Sequence, residues 1–177
     1  MGTGFEGLFV IQPKVFEDGR GYFFESFNAA ILKKNGIDVN FVQDNQSLSS
    51  KNVLRGLHFQ NQPFAQAKLV SVTKGSVLDV VVDIRKNSTT YGQHFKLILS
   101  EKNKSMLFIP IGFAHGFLTL EDNTIFSYKC SNFYNKESEG SILWNDETLN
   151  IDWGIKKPII SDKDKVAPLF KSYNSPF

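Results

Sequence analysis

Three side chains able to move a proton or steady a charge fall where a two-residue period can aim them at one interior: His58, Lys68 and Tyr128. Histidine titrates near neutral pH and can serve as a base. Lysine offers a cation where an oxyanion develops, and tyrosine can return a proton from another direction. Together they suit removal of a hydrogen from a carbon beside a ketone, followed by reprotonation on the opposite face. That sequence of events inverts a stereocentre. A carboxylate behind the base's other ring nitrogen would orient it and stabilise the imidazolium. No activated Ser or Cys nucleophile pattern is visible, so the set favours epimerisation over hydrolysis. Taken alone, His58 reads as a satisfied core histidine and Tyr128 as packing.

The other histidines are His94 and His115. His115 ends Pro110-Ile111-Gly112-Phe113-Ala114-His115, a Pro-x-Gly-x-x-His pattern that resembles the second signature of cupin barrels, where the histidine often binds a metal. A metal needs about three suitable protein ligands. The first cupin signature is His-x-His followed by Glu. Here Gln60 stands in the second histidine position and no Glu follows closely, so no metal is expected.

Stepping outward, these residues sit on segments read as strands. Leu78, Val80, Val82 and Ile84 alternate with Asp79, Val81, Asp83 and Arg85, the pattern of a strand with one buried face. Further strands are expected near 7–13, 21–27, 41–49, 54–60, 68–73, 94–100, 105–109, 116–120 and 124–134, at a spacing of about ten residues that suggests a sandwich or barrel. Residues 28–34 read as the one helix, capped by Asn28 and stopped at Asn35-Gly36, and 101–103 as a tight turn. From Asn135 on, loops and short helical turns are expected to pack over the barrel. Strand parity puts Leu54, Gly56 and His58 on one face, Phe126, Tyr128 and Cys130 on another, and Lys68 with Val70 and Val72. A lysine aimed at an apolar interior calls for an anionic partner or ligand. Arg55 then faces away from His58, unless a bulge at Gly56 turns both the same way.

Composition sets the frame. Seventeen Phe among 177 residues, with 14% aromatics, lean toward an all-β core in one domain spanning 1–177. A net charge of +2 with scattered Lys and Arg gives no nucleic-acid arm. Cys130 is the single cysteine, which excludes an internal disulfide and suggests a reducing compartment. The start, Met1 to Glu6, lacks a signal-peptide pattern, and apolar runs fall short of the ~20 residues of a membrane helix. The expected location is the cytoplasm.

A further signal comes from segments taken together: Asp18-Gly19-Arg20-Gly21-Tyr22-Phe23-Phe24-Glu25, Gln43-Asp44-Asn45, Arg55-Gly56-Leu57-His58, Ala67-Lys68-Leu69-Val70, Pro110 through Phe117, Tyr128-Lys129 and Trp144-Asn145-Asp146. In this order, over nearly the whole chain, they resemble the dTDP-4-dehydrorhamnose 3,5-epimerase family. The resemblance implies a jelly-roll (cupin-like) barrel with a few short helices, a homodimer, and no cofactor or metal. It implies inversion of C3 and C5 of dTDP-4-dehydro-6-deoxy-D-glucose in dTDP-L-rhamnose synthesis. Carried over residue by residue, His58 is the base, Tyr128 the acid, and Lys68 the neighbour of the 4-keto oxygen. An aspartate of the Ser161-Asp162-Lys163-Asp164 stretch supports His58; Asp164 is the choice, with Asp162 the other possibility. Arg55, and Arg20 of the partner subunit, hold the diphosphate. Glu25, Gln43, Asp44, Asn45, His115 and Glu139 line the nucleotide-sugar site, and Tyr134 lies near the nucleotide. The competing readings are an epimerase of one carbon on another 4-keto nucleotide sugar, and a non-catalytic sugar-binding cupin.

Overall fold

The computed structural model describes residues 3–177; the first two residues of the segment read as lacking a leader lie outside them. Two antiparallel five-stranded sheets face each other in a jelly roll. The strands in chain order are β1 (Phe9–Ile11), β2 (Phe16–Asp18), β3 (Gly21–Phe23), β4 (Gln43–Ser49), β5 (Leu54–Gln60), β6 (Lys68–Lys74), β7 (Ser76–Asp83), β8 (His94–Ser100), β9 (Met106–Ile109), β10 (Phe113–Thr119), β11 (Thr124–Cys130) and β12 (Glu139–Ser141). The first sheet runs β1-β9-β6-β11-β4 and the second β12-β5-β10-β7-β8, with β2 and β3 forming a separate hairpin. The expected strands are all present; β5 and β8 keep the expected bounds, and β1, β3, β4, β9 and β11 are shorter. Strands β2 and β12 were not foreseen, because three-residue runs such as Glu139-Gly140-Ser141 carry no hydrophobic period.

Three apolar clusters hold the layers. Between the sheets, Val70, Val72, Val77, Val81, Leu107, Phe117 and Phe126 interlock, and the rings of Phe117 and Phe126 stack at 4.0 Å. Burying a side chain such as Phe126 contributes about 1.5–3 kcal/mol. Outside the second sheet, Ile142, Leu149, Trp153 and Phe170 of the C-terminal segment cover Val80, Val82, Ile84 and Leu118. Outside the first sheet, Leu32 and Ile37 cover Leu69, Met106 and Phe108.

That cover corrects the half-buried reading of β7. Both of its faces are enclosed, and Asp79 and Asp83 are fully buried. Leu78, Val80, Val82 and Ile84 pack under the C-terminal segment, while Val77 and Val81 face the gap between the sheets.

The helix α1 (Ala29–Lys34) begins where expected: the Asn28 side chain accepts from the Ile31 N–H at 3.1 Å, and Lys33 and Lys34 sit in its last turn. Six residues are too few to persist alone, so the packing of Leu32 fixes it. In the C-terminal segment, Asp146 accepts from the backbone N–H groups of Thr148, Leu149 and Phe170, and Trp153 donates to the Trp144 carbonyl. The Trp144-Asn145-Asp146 run is therefore a structural turn with an aromatic anchor. The second helix, α2 (Asp162–Lys165), lies against β5 and starts at Ser161.

Candidate active site

A cavity of about 490 Å³ opens between the sheets, and β5 forms the key part of its wall. Residues Gly56 and Leu57 of β5 oppose the single Gly116 of β10: Arg55 pairs with Phe117, and His58 with His115. This extra residue is a bulge, and it corrects the simple parity reading. Leu54, Leu57 and Phe59 point into the cluster under the C-terminal segment, and Arg55 and His58 both line the cavity. Glycine is required here. Gly56 has φ +134°, and a Cβ would lie 2.4 Å from the Gly116 Cα and 2.9 Å from the His115 carbonyl oxygen.

His58 Nε2 stands 2.6 Å from Asp164 Oδ1. The His58 side chain is 31% exposed, toward the cavity, and that of Asp164 only 4%. Burial pushes the Asp164 carboxyl up, but hydrogen bonds from His58, Ser161 and the Gly56 backbone outweigh it and hold the group below the ordinary carboxylate range. Ser161 caps α2 by accepting from the Asp164 N–H at 3.1 Å, which fixes the carboxylate's approach. Asp162 is exposed and paired with Lys165, so the choice between the two aspartates falls to Asp164 by position.

The rest of the cavity is polar at its edges and aromatic at its floor. His115 is 7% exposed, stacks on Phe126 at 5.9 Å, and engages Asp79 Oδ2 at 2.9 Å through Nε2. Among the described residues the other Asp79 oxygen, Oδ1, has no hydrogen-bond partner. The sequence pattern, one buried face on this strand, does not single out Asp79; Val77 and Val81, of the same parity, are the available signal. Lys68 lines the cavity with its ammonium 6.0 Å from the centre of the Tyr128 ring. Burial lowers its pKa, offset in part by Cys130, Asp79 and Glu139. Burial also raises the Tyr128 phenol; Cys130 adds to this and Arg55 opposes it. Tyr128 reaches the cavity from β11 of the first sheet, opposite His58 on the second.

The remaining predicted residues lie apart from this wall. Asn45 faces Tyr128 across the β4–β11 pair and donates to Cys130 Sγ; Gln43 donates to Asn45 and accepts from the Tyr134 N–H. The Tyr134 hydroxyl donates to Glu139 at 3.1 Å, and Glu139 pairs with Lys163, which does line the cavity. Lys163 had no signal beyond its place between two aspartates. Asp44 points to the opposite face of its strand, where it pairs with Lys129 at 2.9 Å. Glu25 accepts from the Asn28 side chain beside α1, outside the first sheet. Arg20 stands on the exposed β2–β3 hairpin, paired with its own Asp18. The structure does not bring Asp44, Glu25 or Arg20 to this chain's own cavity.

Gln60, which stands in a histidine position of the metal-binding cupin signature, is a structural anchor. Its amide donates to the Phe64 and Phe133 carbonyls and accepts from the Asn135 N–H. Among the described residues no three His, Cys, Asp or Glu side chains gather as a metal-ligand set. His58 and His115 each commit Nε2 to an aspartate. Incubation with a strong chelator is accordingly expected to leave turnover unchanged; loss that added metal restores would revive metal-assisted chemistry. Among the described residues no helix is long and apolar enough to cross a membrane.

Comparison with known proteins finds relatives of this sequence and fold. The dTDP-4-dehydrorhamnose 3,5-epimerase family profile matches residues 2–172. The chain is 53% identical over 169 residues to the dTDP-4-dehydrorhamnose 3,5-epimerase of Salmonella typhimurium, covering 94% of this chain and 92% of that one. It is similar to the crystal structure of the dTDP-4-dehydrorhamnose 3,5-epimerase from Elizabethkingia anophelis, with a TM-score of 0.94, 50% identity, and coverage of 99% and 97%. It is also similar to the dTDP-6-deoxy-D-glucose-3,5-epimerase of Legionella pneumophila, solved in complex with dTDP-4-keto-L-rhamnose, with a TM-score of 0.90, 48% identity, and coverage of 94% and 89%.

Proposed function

The chain belongs to the dTDP-4-dehydrorhamnose 3,5-epimerase family, and from that premise we propose that it inverts C3 and C5 of dTDP-4-dehydro-6-deoxy-D-glucose with its own His58 and Tyr128. One observation carries the assignment of roles: a histidine backed by a carboxylate and a tyrosine enter one cavity from opposing sheets. Inversion requires a proton to leave from one face of a carbon and arrive on the other. A base and an acid on the same wall could exchange protons but would return the original configuration.

In this reading His58 removes the proton next to the 4-keto group, and Asp164, ionised at neutral pH, stabilises the imidazolium that forms. The Lys68 ammonium stands at the oxygen on which enolate charge gathers. Removing such an electrostatic donor typically costs about 10²–10³-fold in rate. His115, oriented by Asp79, supplies a second polar contact from the facing sheet. Tyr128 then delivers a proton to the opposite face. The nucleotide end extends past Arg55 toward Tyr134, Glu139 and Lys163, which join in one hydrogen-bonded cluster. Gln43 and Asn45 brace the neighbouring strand.

Arg20 belongs in the site as Arg20 of the partner subunit. The hairpin that bears it leaves Phe16, Tyr22 and Phe23 exposed, apolar surface that a second copy of this chain would cover in a homodimer. Glu25 lies a few residues further along the same segment. The reaction uses no cofactor or metal, and the protein works in the cytoplasm as one domain without a nucleic-acid partner.

Proton NMR of the reaction in deuterium oxide tests the proposal. Deuterium is expected at both C3 and C5 of the dTDP-linked 4-keto sugar. Exchange at one carbon only would mean a single-carbon epimerase. Exchange at neither, with dTDP still bound, would replace the enzyme by a sugar-binding cupin.

A further inference from the structure

Arg20, Arg55 and Arg85 are the arginines of the chain, and all three engage the same edge of the guanidinium, two on a carboxylate and one on a hydroxyl. Arg20 places Nε and Nη2 on the carboxylate of Asp18. Arg85 places Nε and Nη2 on the carboxylate of Asp83. In both the partner is an aspartate two residues earlier, buried beside Arg85 but exposed to solvent screening beside Arg20. Arg55 presents the same two nitrogens to a neutral group: Nε and Nη2 each donate to Ser49 Oγ at 3.3 Å. Among the described residues no carboxylate comes within ion-pairing distance of Arg55. Ser49 ends β4 on the first sheet and is 6% exposed, whereas Arg55 lies on β5 of the second sheet and is exposed to the cavity. The contact thus spans the two walls at the point where the chain crosses between them.

We propose that Ser49 is the positioning residue for diphosphate recognition by Arg55, orienting the guanidinium without neutralising it. The inference rests on the reading of Arg55 as a diphosphate contact. Guanidinium carries five N–H donors in a fixed plane. With the Nε/Nη2 edge turned onto Ser49, the edge between the two terminal nitrogens is left without a protein acceptor among the described residues, on a side chain that lines the cavity, and such an edge can grip two phosphate oxygens at once. A flexible arginine side chain has about 2 kcal/mol of rotamer entropy to lose on binding. Holding it in place beforehand removes part of that loss. A carboxylate would orient the arginine equally well, as the buried Asp83 does for Arg85, but would offset the charge the diphosphate needs. A hydroxyl orients it and leaves the charge in place.

The role predicts a split between binding and turnover. Ser49 touches neither the reacting carbons nor His58, Tyr128 or Lys68. Ser49→Ala should therefore raise KM and the dTDP dissociation constant together by about five- to tenfold, the scale of a hydrogen bond to a charged group after partial compensation by solvent. kcat should stay within about twofold, because uniform binding is what is lost. Ser49→Thr, which keeps the hydroxyl, should restore dTDP affinity. Ser49→Asp should weaken dTDP more than alanine does, since it converts Arg55 into a buried neutralised pair like Arg85.

The experiment is calorimetric titration of each full-length variant with dTDP, paired with steady-state kinetics, with Arg55→Gln as the reference. If Arg55→Gln weakens dTDP while Ser49→Ala and Ser49→Asp do not, the role of Ser49 is overturned and that of Arg55 stands. If Arg55→Gln leaves dTDP affinity unchanged, the diphosphate reading of Arg55 itself is wrong. A fall in kcat equal to the rise in KM for Ser49→Ala, or no recovery with threonine, would make Ser49 a structural tie between the sheets and end the proposal. Should Ser49→Asp fail to fold, the alanine and threonine pair decides the matter alone.

Discussion

His58→Ala is expected to stop deuterium entering either carbon of the sugar and to lower turnover by about 10³–10⁴-fold, near the upper end of what a positioned general base supplies. Binding should survive, because Arg55, Lys163 and the aromatic floor stand apart from the imidazole. The variant leaves Asp164 buried with its carboxylate stripped of its strongest partner. The sign of the resulting pH effect follows from the direction of the Asp164 shift. A carboxyl held below its usual value stabilises the fold at pH above about 3.8 and loses that contribution as pH falls through the lowered value. Without His58, its hydrogen bond and its charge no longer oppose burial and the carboxyl moves up. The variant should therefore begin to lose its charged aspartate at a higher pH than the parent protein does, which a carbonyl-stretch infrared titration can follow. Unchanged turnover in His58→Ala would remove the base from the mechanism altogether.

How far the sequence led depends on the kind of interaction. Strand parity brought Tyr128 and Lys68 to the interior, since β11 and β6 keep a regular register beside Val70 and Phe126 over this stretch. The same rule gave the wrong neighbours for His58, because one extra residue in β5 reverses the face of everything before it. Gly56 was the visible hint. Asp79 was lost for another reason: alternation shows that a strand has two faces but cannot show that a later segment covers the second. Here the cover comes from Ile142, Leu149, Trp153 and Phe170, all more than fifty residues downstream. Asp162 and Asp164 differ by a half-turn of a four-residue helix whose only sequence mark is Ser161. Arg20 and Glu25 lie on a segment directed away from the cavity of their own chain, and no reading of one chain's pattern could place them further. Periodicity reports local geometry; the site is built where long-range contacts interrupt it.

Tyr128→Phe separates the two halves of the reaction. Phenylalanine keeps the ring between Phe126 and the Lys68 ammonium and removes only the hydroxyl. His58 can still withdraw the proton and hand back a deuteron on the same face, so exchange should persist within about tenfold of the parent rate. Net inversion should fall by about 10²-fold or more, the contribution of a positioned acid. The pH profile supplies an independent check. Burial raises the Tyr128 phenol above its ordinary 10.0, so it remains a proton donor through the neutral and mildly alkaline range. Burial moves Lys68 the other way, below its ordinary value, so its ammonium gives up its proton more readily as pH rises than a solvated lysine would. The alkaline decline therefore belongs to Lys68 and the enolate it steadies. It should appear in the exchange rate of Tyr128→Phe as it does in the parent protein, and Lys68→Met should lower exchange while removing the decline. An alkaline limb that vanished with the tyrosine hydroxyl would assign it to the phenol instead, and inversion at the full rate in Tyr128→Phe would require another proton donor on the first sheet.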